Sequence, residues 1–518
     1  MPGAPRSRAK TDSSERRPTW RCRWSAFTGP SAEAGRWRTI AFPRQEPMPR
    51  SVTLNLWREP RMSNRATLLE GPIAKQLLAL AWPVLVVLAL QTFVGVAETY
   101  FVSFLGTDAL AGVALVFPVF MLMTMMSNGG IGGGVSSAVA RAIGAGRRHD
   151  AQALAMHAVV VGSVFGAIFT IGVWAGGPAL FTLMGGQGDT LANALLYANV
   201  LFLAAIPGWI SNLLASALRG AGDVRVPAIV TAAGAVITLA LSPLFIFGWG
   251  WVPEMGVAGA GLALICFNLG SVLVLALYMR SPRSPIRLAR ARLEWRLFND
   301  ILKVGLLSAI GTVVANLTVV LTTGLVGAYG RDAIAGYGLA SRLDYILIPL
   351  LFALGTASVT MVGTNVGAGR QARARKIAWT GALVSALATG AIGLAAALFP
   401  QAWIHLFSRE AQVVELGSAY LARVAPLYAF FGVGMSLYFA SQGAGKMAWP
   451  FAAGVVRLLV VFAAGGYWMS PLHGSLNGLY WIVAGSYLLF GAINLFAMAS
   501  GLGWGHRTAH RESLEPAR

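Results

Sequence analysis

Cysteine is almost absent: Cys22 and Cys266 are the only two in 518 residues. The first sits in a polar stretch and the second in an apolar run, so no disulfide framework is implied and no zinc-type ligand spacing exists. Histidine is also scarce. Of His149, His157, His405, His473, His506 and His510, most fall in loops or at the ends of apolar runs. No pair has the HExxH spacing of a metal-binding helix, so a membrane metalloenzyme finds little to work with. Charge is thin as well. Only 12% of residues are charged, against about 25% in soluble domains, and the 20 acids are outnumbered by 40 Lys and Arg.

What fills the chain is apolar: 56% hydrophobic residues and a mean hydropathy of +0.64. Runs of about 20 apolar residues are long enough to cross the hydrocarbon core as helices, and they follow one another from Ile73 to Leu502. The runs are continuous rather than alternating and rich in Leu, Ala and Gly, which excludes a strand reading. The expected fold is all-α and integral to the membrane. Twelve spans are predicted, near 75–104, 109–143, 151–184, 190–218, 226–248, 256–279, 300–327, 333–363, 375–405, 411–441, 448–469 and 475–502. Basic residues cluster in every second connection: Arg147 and Arg148, Arg219 and Arg225, the arginines from 280 to 296, Arg370 to Lys376, and Lys446. By the positive-inside rule those connections face the cytoplasm, and so do both termini of a protein expected in the inner (plasma) membrane. The net charge of +20 then reports topology. Arginines dispersed over five loops and two tails make no nucleic-acid groove.

Residues 1–69 read as a disordered, basic N-terminal tail without a signal-peptide core. Met62 is the expected true start, with the preceding residues a gene-model extension. The remaining boundaries expected are an N-lobe over 70–279, a cytoplasmic linker over 280–299, a C-lobe over 300–502 and a C-terminal cytoplasmic tail over 503–518.

The halves repeat. GTDALAG (106–112) returns as GRDAIAG (330–336), an offset of 224; IGAGRR (143–148) returns as VGAGRQ (366–371), and RGAGDVRVP (219–227) as QGAGKMAWP (442–450), both at 223. Tyr197 falls on Tyr420 at the same offset. Three motifs in one order at one spacing mark a tandem repeat of six helices. Six is even, so the repeats run parallel, related by an axis along the membrane normal, as in transporters that rock one lobe against the other. No filter motif or ring of charges suggests a channel.

Within the first span, LQTFVGVAETYFVSFLG (90–106) holds one acid, Glu98, with no basic residue within a helical turn. A charged acid inside a span costs on the order of 2.5–3.5 kcal/mol, which makes it a functional candidate by default. The structural counter-reading is a hydrogen bond to Gln91, seven residues earlier on the same face. Thr238 and Ser242 either bind a cation or back-bond to their own helix. Asp344 reads as a charge partner for Arg423 or Arg457 ahead of a coupling site, while Arg342, two residues away, points elsewhere. The glycines of IGGGV (131–135) read as close helix packing.

AWPVL with VAETYFVSFLGTDALAGVAL, then SNGGIGGGVSSAVARAIGAGRRHDA, ALRGAGDVRVPA, LSPLFIFGWG and GVAGAGLA resemble the N-terminal half of the MATE (multidrug and toxic compound extrusion) family. AGYGLASRLDYILIPLLFALGTASVTMVGTNVGAGR and YLARVAPLYAFFGVGMSLYFASQGAGK continue the resemblance through the second half. It spans about 70–502 and implies a twelve-helix, two-lobe secondary antiporter. The implied cargo is cationic, often aromatic, exported against protons or sodium. Glu98 and Thr99 stand where the family commonly has an aspartate before a threonine, and Pro83 at its first-helix proline. Thr238 and Ser242 replace an asparagine and an aspartate ahead of Pro243, and Leu264 replaces a sixth-helix threonine. With only hydroxyls left in the fifth helix, protons are the expected coupling ion and sodium the less favoured one. Pro83, Gln91, Asn316 and Asp344 are cavity or gating candidates. Small-molecule cargo and membrane lipid are the expected partners, with no cofactor, metal or nucleic acid. The alternative is a flippase for a lipid-linked oligosaccharide or related lipid cargo, whose anionic cargo would need Arg342, Arg423 and Arg457 inside the cavity.

Overall fold

The computed structural model describes residues 64–468 and 474–504; the expectations for residues 1–61, Cys22, Met62, His473, His506, His510 and the tail beyond 504 lie outside them. Among the described residues, twelve helices are long and apolar enough to span a membrane. The first half contributes α1 (Ile73–Ser103), α2 (Thr107–Gly144), α3 (Arg148–Leu183), α4 (Gly188–Gly220), α5 (Arg225–Phe247) and α6 (Val257–Arg280). The second contributes α7 (Trp295–Gly327), α8 (Arg331–Gly367), α9 (Gln371–Leu398), α10 (Ala411–Ala444), α11 (Ala448–Tyr467) and α12 (Leu476–Ala499). The end of the bundle carrying the α6–α7 connection is called the linker side, and the opposite end the far side.

The repeat seen in sequence is a repeat of packing. On the far side, Gly106 and Gly330 open α2 and α8 with φ of 101° and 103°, a region that a Cβ disfavours. Gly112 and Gly336, an offset of 224, each let a neighbouring helix backbone approach: a Cβ would meet Ala194 N or Gly417 N at 2.8 Å. Both α4 and α10 are interrupted by a 3₁₀ turn at equivalent places, Phe202–Ala204 and Ala425–Leu427. The glycines of 131–135 pack helices, as expected. Gly133 abuts the Gln442 side chain, and a Cβ on Gly134 would lie 2.6 Å from Ile301 O.

Three boundaries differ from expectation. The linker ends at 294, because Leu297 and Ile301 are buried in the N-lobe core and extend α7 back to Trp295. Residues 64–70 are not part of a disordered tail: Asn64–Glu70 is a helix whose Leu68 and Leu69 are buried. Their carbonyls accept from Asn365 Nδ2 (3.1 Å) and Arg370 Nη1 (2.9 Å). At the other terminus Trp504 donates its indole N–H to Ser441 Oγ at 3.1 Å and packs on the core, so the chain remains attached one residue beyond 503.

The lobes are joined by exchange. The linker-side stretch of α1, with Leu77, Ala81 and Val84, is buried among Ala353, Ala357, Ile377 and Ala382 of α8 and α9, whereas Val102 near its far end belongs to the N-lobe core. α7 does the reverse. Leu297, Ile301 and Ala309 join the N-lobe core and Val326 the C-lobe core. Leu77 and Ile301 are repeat equivalents, 224 apart, so one physical solution is used twice.

Candidate functional site

Glu98 lies little more than one turn before the end of α1 at Ser103, nearer the far side than the middle of the span. Its Oε1 is buried and has no hydrogen-bond partner. Gln91 does not satisfy it: that side chain is exposed, so the structural counter-reading fails. Thr99 donates to Gly95 O at 2.9 Å and is committed to its own helix. Tyr197 of α4, itself buried, is close enough to sense the Glu98 charge. α5 packs along α1, and the Phe104 and Phe247 rings meet at 6.1 Å at their far ends. Counting back from that contact places Ser242 and Glu98 at similar depth, since each residue adds 1.5 Å. Ser242 is fully buried and its Oγ is unpartnered. Thr238 is buried and donates to Gly234 O at 2.9 Å, the back-bonding alternative.

Pro83 sits inside α1 without ending it. A proline cannot donate to the carbonyl four residues back and weakens the helix there. It lies between Ala81 and Val84, which belong to the α8–α9 contact, so the weak point is where α1 passes from one lobe to the other. Asn316 donates to Thr312 O at 2.9 Å and faces Met125 Sδ at 3.8 Å across the lobes. That places it at mid-depth of the seam.

The C-lobe holds a different arrangement. Asp344 Oδ2 accepts from Tyr420 at 2.8 Å and from Tyr487 at 3.3 Å, while Oδ1 is buried and unpartnered. Tyr428 adds a third hydroxyl near the carboxylate without a hydrogen bond of acceptable geometry. The Arg457 guanidinium lies 4.6 Å from the centroid of Tyr487 and 5.4 Å from that of Phe431. It acts on Asp344 through space but makes no ion pair with it among the described residues. The expected arginine partner is thus replaced by tyrosines, because their hydroxyls reach the acid from α10 and α12 while Arg457 stacks on a ring. Arg423 donates to Ala419 O at 2.8 Å, and Arg342 is exposed over Phe407 at 5.2 Å. Of the three arginines, Arg457 alone lies in the polar centre of this lobe.

Sequence reasoning missed a third polar cluster, at the linker-side seam. Gln442 Nε2 donates to Gly129 O (2.9 Å) and Ser308 Oγ (2.8 Å). Arg219 Nη2 donates to Ser216 Oγ (2.7 Å), and its carbonyl accepts from Thr360 (2.9 Å). Arg141 donates to Ser137, whose hydroxyl bonds the carbonyl of Gly443 at 3.1 Å. Asn128, Ser136, Arg219 and Gln442 line a cavity of about 10 Å³, the size of one water. The signal was present, since Arg219 and Gln442 begin the repeated RGAGD and QGAGK motifs, but a repeat does not say which faces meet. On the far side no comparable network joins the lobes among the described residues.

The MatE family profile matches residues 83–244 and again 307–468, with starts 224 apart. The chain belongs to the MATE family. MATE proteins are membrane transporters, not enzymes, and the two matches are the two repeated halves. Similar proteins include the FAD transporter of Shewanella oneidensis, 28% identical over 386 residues, covering 72% of this chain and 82% of that one. The probable multidrug resistance protein NorM of Thermotoga maritima is 26% identical over 414 residues (79% and 89%), and YoeA of Bacillus subtilis, a probable multidrug resistance protein, 25% over 381 (70% and 80%). Among solved structures, MATE in the bent conformation superimposes with a TM-score of 0.78 at 23% identity, covering 85% of this chain and 97% of that one. An outward-facing MATE multidrug transporter gives 0.75, also at 23% identity (84% and 97%).

Proposed function

We propose that this MATE chain is a proton-coupled antiporter that exports cationic, aromatic small molecules by alternating access of its two lobes, with Glu98 as the group for which proton and cargo compete. The observation that carries this reading is the Glu98 carboxylate, whose Oε1 is buried with no partner on a helix weakened at Pro83. Protonation removes the cost of burying that charge; deprotonation leaves a negative centre that attracts a cation. Sodium prefers several oxygen ligands, ideally charged, and Thr238 is already engaged with Gly234 O, so of these two residues Ser242 is left with a hydroxyl to assist the acid. The basic linker side faces the cytoplasm in this reading. The multidrug relatives support a drug-like cargo.

Arg457 favours a second reading. A guanidinium stacked on Tyr487 and Phe431 suits an anionic aromatic cargo, and one relative transports FAD. A flippase gains less, because Arg342 and Arg423 are engaged elsewhere. Proteoliposomes loaded with ethidium or FAD decide the matter. The first reading expects ethidium efflux driven by a pH gradient without sodium and lost in Glu98→Gln. FAD efflux with no ethidium efflux would replace it with the second, and sodium-driven efflux at uniform pH would remove proton coupling.

A further inference from the structure

The opening turns of α7 form a groove that the transport mechanism does not use. Trp295, Asn299, Leu302, Lys303, Leu306 and Leu307 line about 370 Å³ on the outer surface of the helix. Trp295 is 77% exposed; Asn299 and Lys303 are also exposed, and Lys303 has no acidic partner among the described residues. From the groove an apolar stripe runs toward the far side through Leu306, Ile310, Val313, Leu317 and Val320, all exposed. The spacing of four, three, four and three residues keeps them on one helix face. At 1.5 Å per residue the stripe is about 20 Å long, comparable with one extended acyl chain. Exposed Arg287, Arg290 and Arg292 precede the groove in the connection. Asp150 is held by Arg147 and Arg296, and Glu294 by Arg296, while Asp300, three residues before Lys303, makes no ion pair with it among the described residues.

We infer that this groove binds an anionic phospholipid, its phosphate held by Lys303 with Asn299 and Trp295, and one acyl chain laid along the Leu306–Val320 stripe. An aromatic ring and a lysine at the entry to a span occupy the headgroup level, and the lysine stem can cover apolar surface while its ammonium reaches the phosphate. Basic residues at a membrane surface attract anionic lipids, and the three arginines with Lys303 outnumber the one unpaired local acid, Asp300. The position gives the lipid leverage. Leu297 and Ile301 are fixed in the N-lobe core and Val326 in the C-lobe core, so a lipid lying along α7 touches a helix of the second half that both lobes share, and it shifts the balance between conformations.

The test is native mass spectrometry of the full chain in detergent with equimolar dioleoyl phosphatidylglycerol and dioleoyl phosphatidylcholine, paired with efflux in vesicles of each lipid. The wild type is expected to retain phosphatidylglycerol about fivefold over phosphatidylcholine, the scale of one basic contact, and to pump at a lipid-dependent rate. Lys303→Gln should lose most of that preference and the lipid dependence, and Lys303→Arg should keep both. Lys303 is exposed, so neither change threatens folding. A wild type with no preference overturns the site. So does a Lys303→Gln protein that keeps the full preference and loses it only when Arg287, Arg290 and Arg292 are also neutralised, because that pattern is diffuse attraction to the linker.

Discussion

The two lobes share a backbone plan and differ in how each treats its buried acid. Tyr197 and Tyr420 occupy equivalent positions, and each lies close to a carboxylate, yet the N-lobe acid comes from α1 and the C-lobe acid from α8. Glu98 keeps a buried oxygen with no partner. Asp344 also keeps one buried oxygen without a partner, but its other oxygen accepts two tyrosine hydroxyls, and Arg457 lies over the ring of one of those tyrosines. An uncompensated buried charge is costly and therefore responsive to protonation, whereas a hydrogen-bonded and balanced one holds structure. Under the proposed proton-coupled reading, the difference would give proton exchange to the N-lobe and rigidity to the C-lobe, although the two halves share one pattern.

Substitutions can break that contrast. Glu98→Gln should have the largest effect, abolishing pH-driven efflux while the protein remains folded, since removing a buried charge relieves its cost. Glu98→Asp should pump with a shifted pH optimum; efflux against pH in proteoliposomes reads both. If Glu98→Gln pumps normally, the N-lobe is not the coupling lobe.

Asp344→Ala should act on stability instead. It removes the acceptor of the buried Tyr420 and Tyr487 hydroxyls and the charge that half-buried Arg457 acts on, and leaving buried hydroxyls unsatisfied costs about 1–3 kcal/mol, visible as a lowered Tm. Adding Arg457→Met should recover part of that loss, because the two changes are coupled. Asp344→Asn, which keeps an acceptor for Tyr420, should cost less and leave efflux dependent on pH. Loss of proton coupling in a stable Asp344→Asn protein would make the lobes equivalent.

Pro83→Ala comes next in size. Restoring the backbone N–H should strengthen α1 where it crosses between lobes, slowing exchange without lowering expression. An unchanged transport rate would remove α1 bending from the mechanism. The smallest effect belongs to Ser242→Ala, expected within about 1 kcal/mol because its hydroxyl makes no hydrogen bond to lose. A sodium requirement in the wild type that vanishes in Ser242→Ala would instead make the serine an ion ligand.

Much of the fold was legible because its causes are local in the chain. Each span is a run of apolar residues, and the offset of 223 or 224 is a property of spacing. The coarse site was legible too, since a lone Glu98 in an apolar stretch is visible without neighbours. Its surroundings were not. Gln91 shares a helix face with Glu98 by periodicity but is exposed and does not bond it, and Asp344 drew tyrosines from 76 and 143 residues away where charge alone suggested arginine. At 295–299 the linker reading gave way to helix, because burial of Leu297 against the N-lobe outweighed the polar residues around it.

The sequence by itself determined the solvent, the number of crossings and the twofold repetition, because hydropathy and spacing act along the chain. Only the tertiary structure decided that α1 and α7 exchange their linker-side turns between lobes and that Arg219 and Gln442 close one end. It also decided that one acid is left unpartnered while the other is caged. In lipid the hydrophobic effect does not choose between helix faces, so the pairings follow from close backbone approach at glycines and from hydrogen bonds between distant residues, and neither can be read along one strand of sequence.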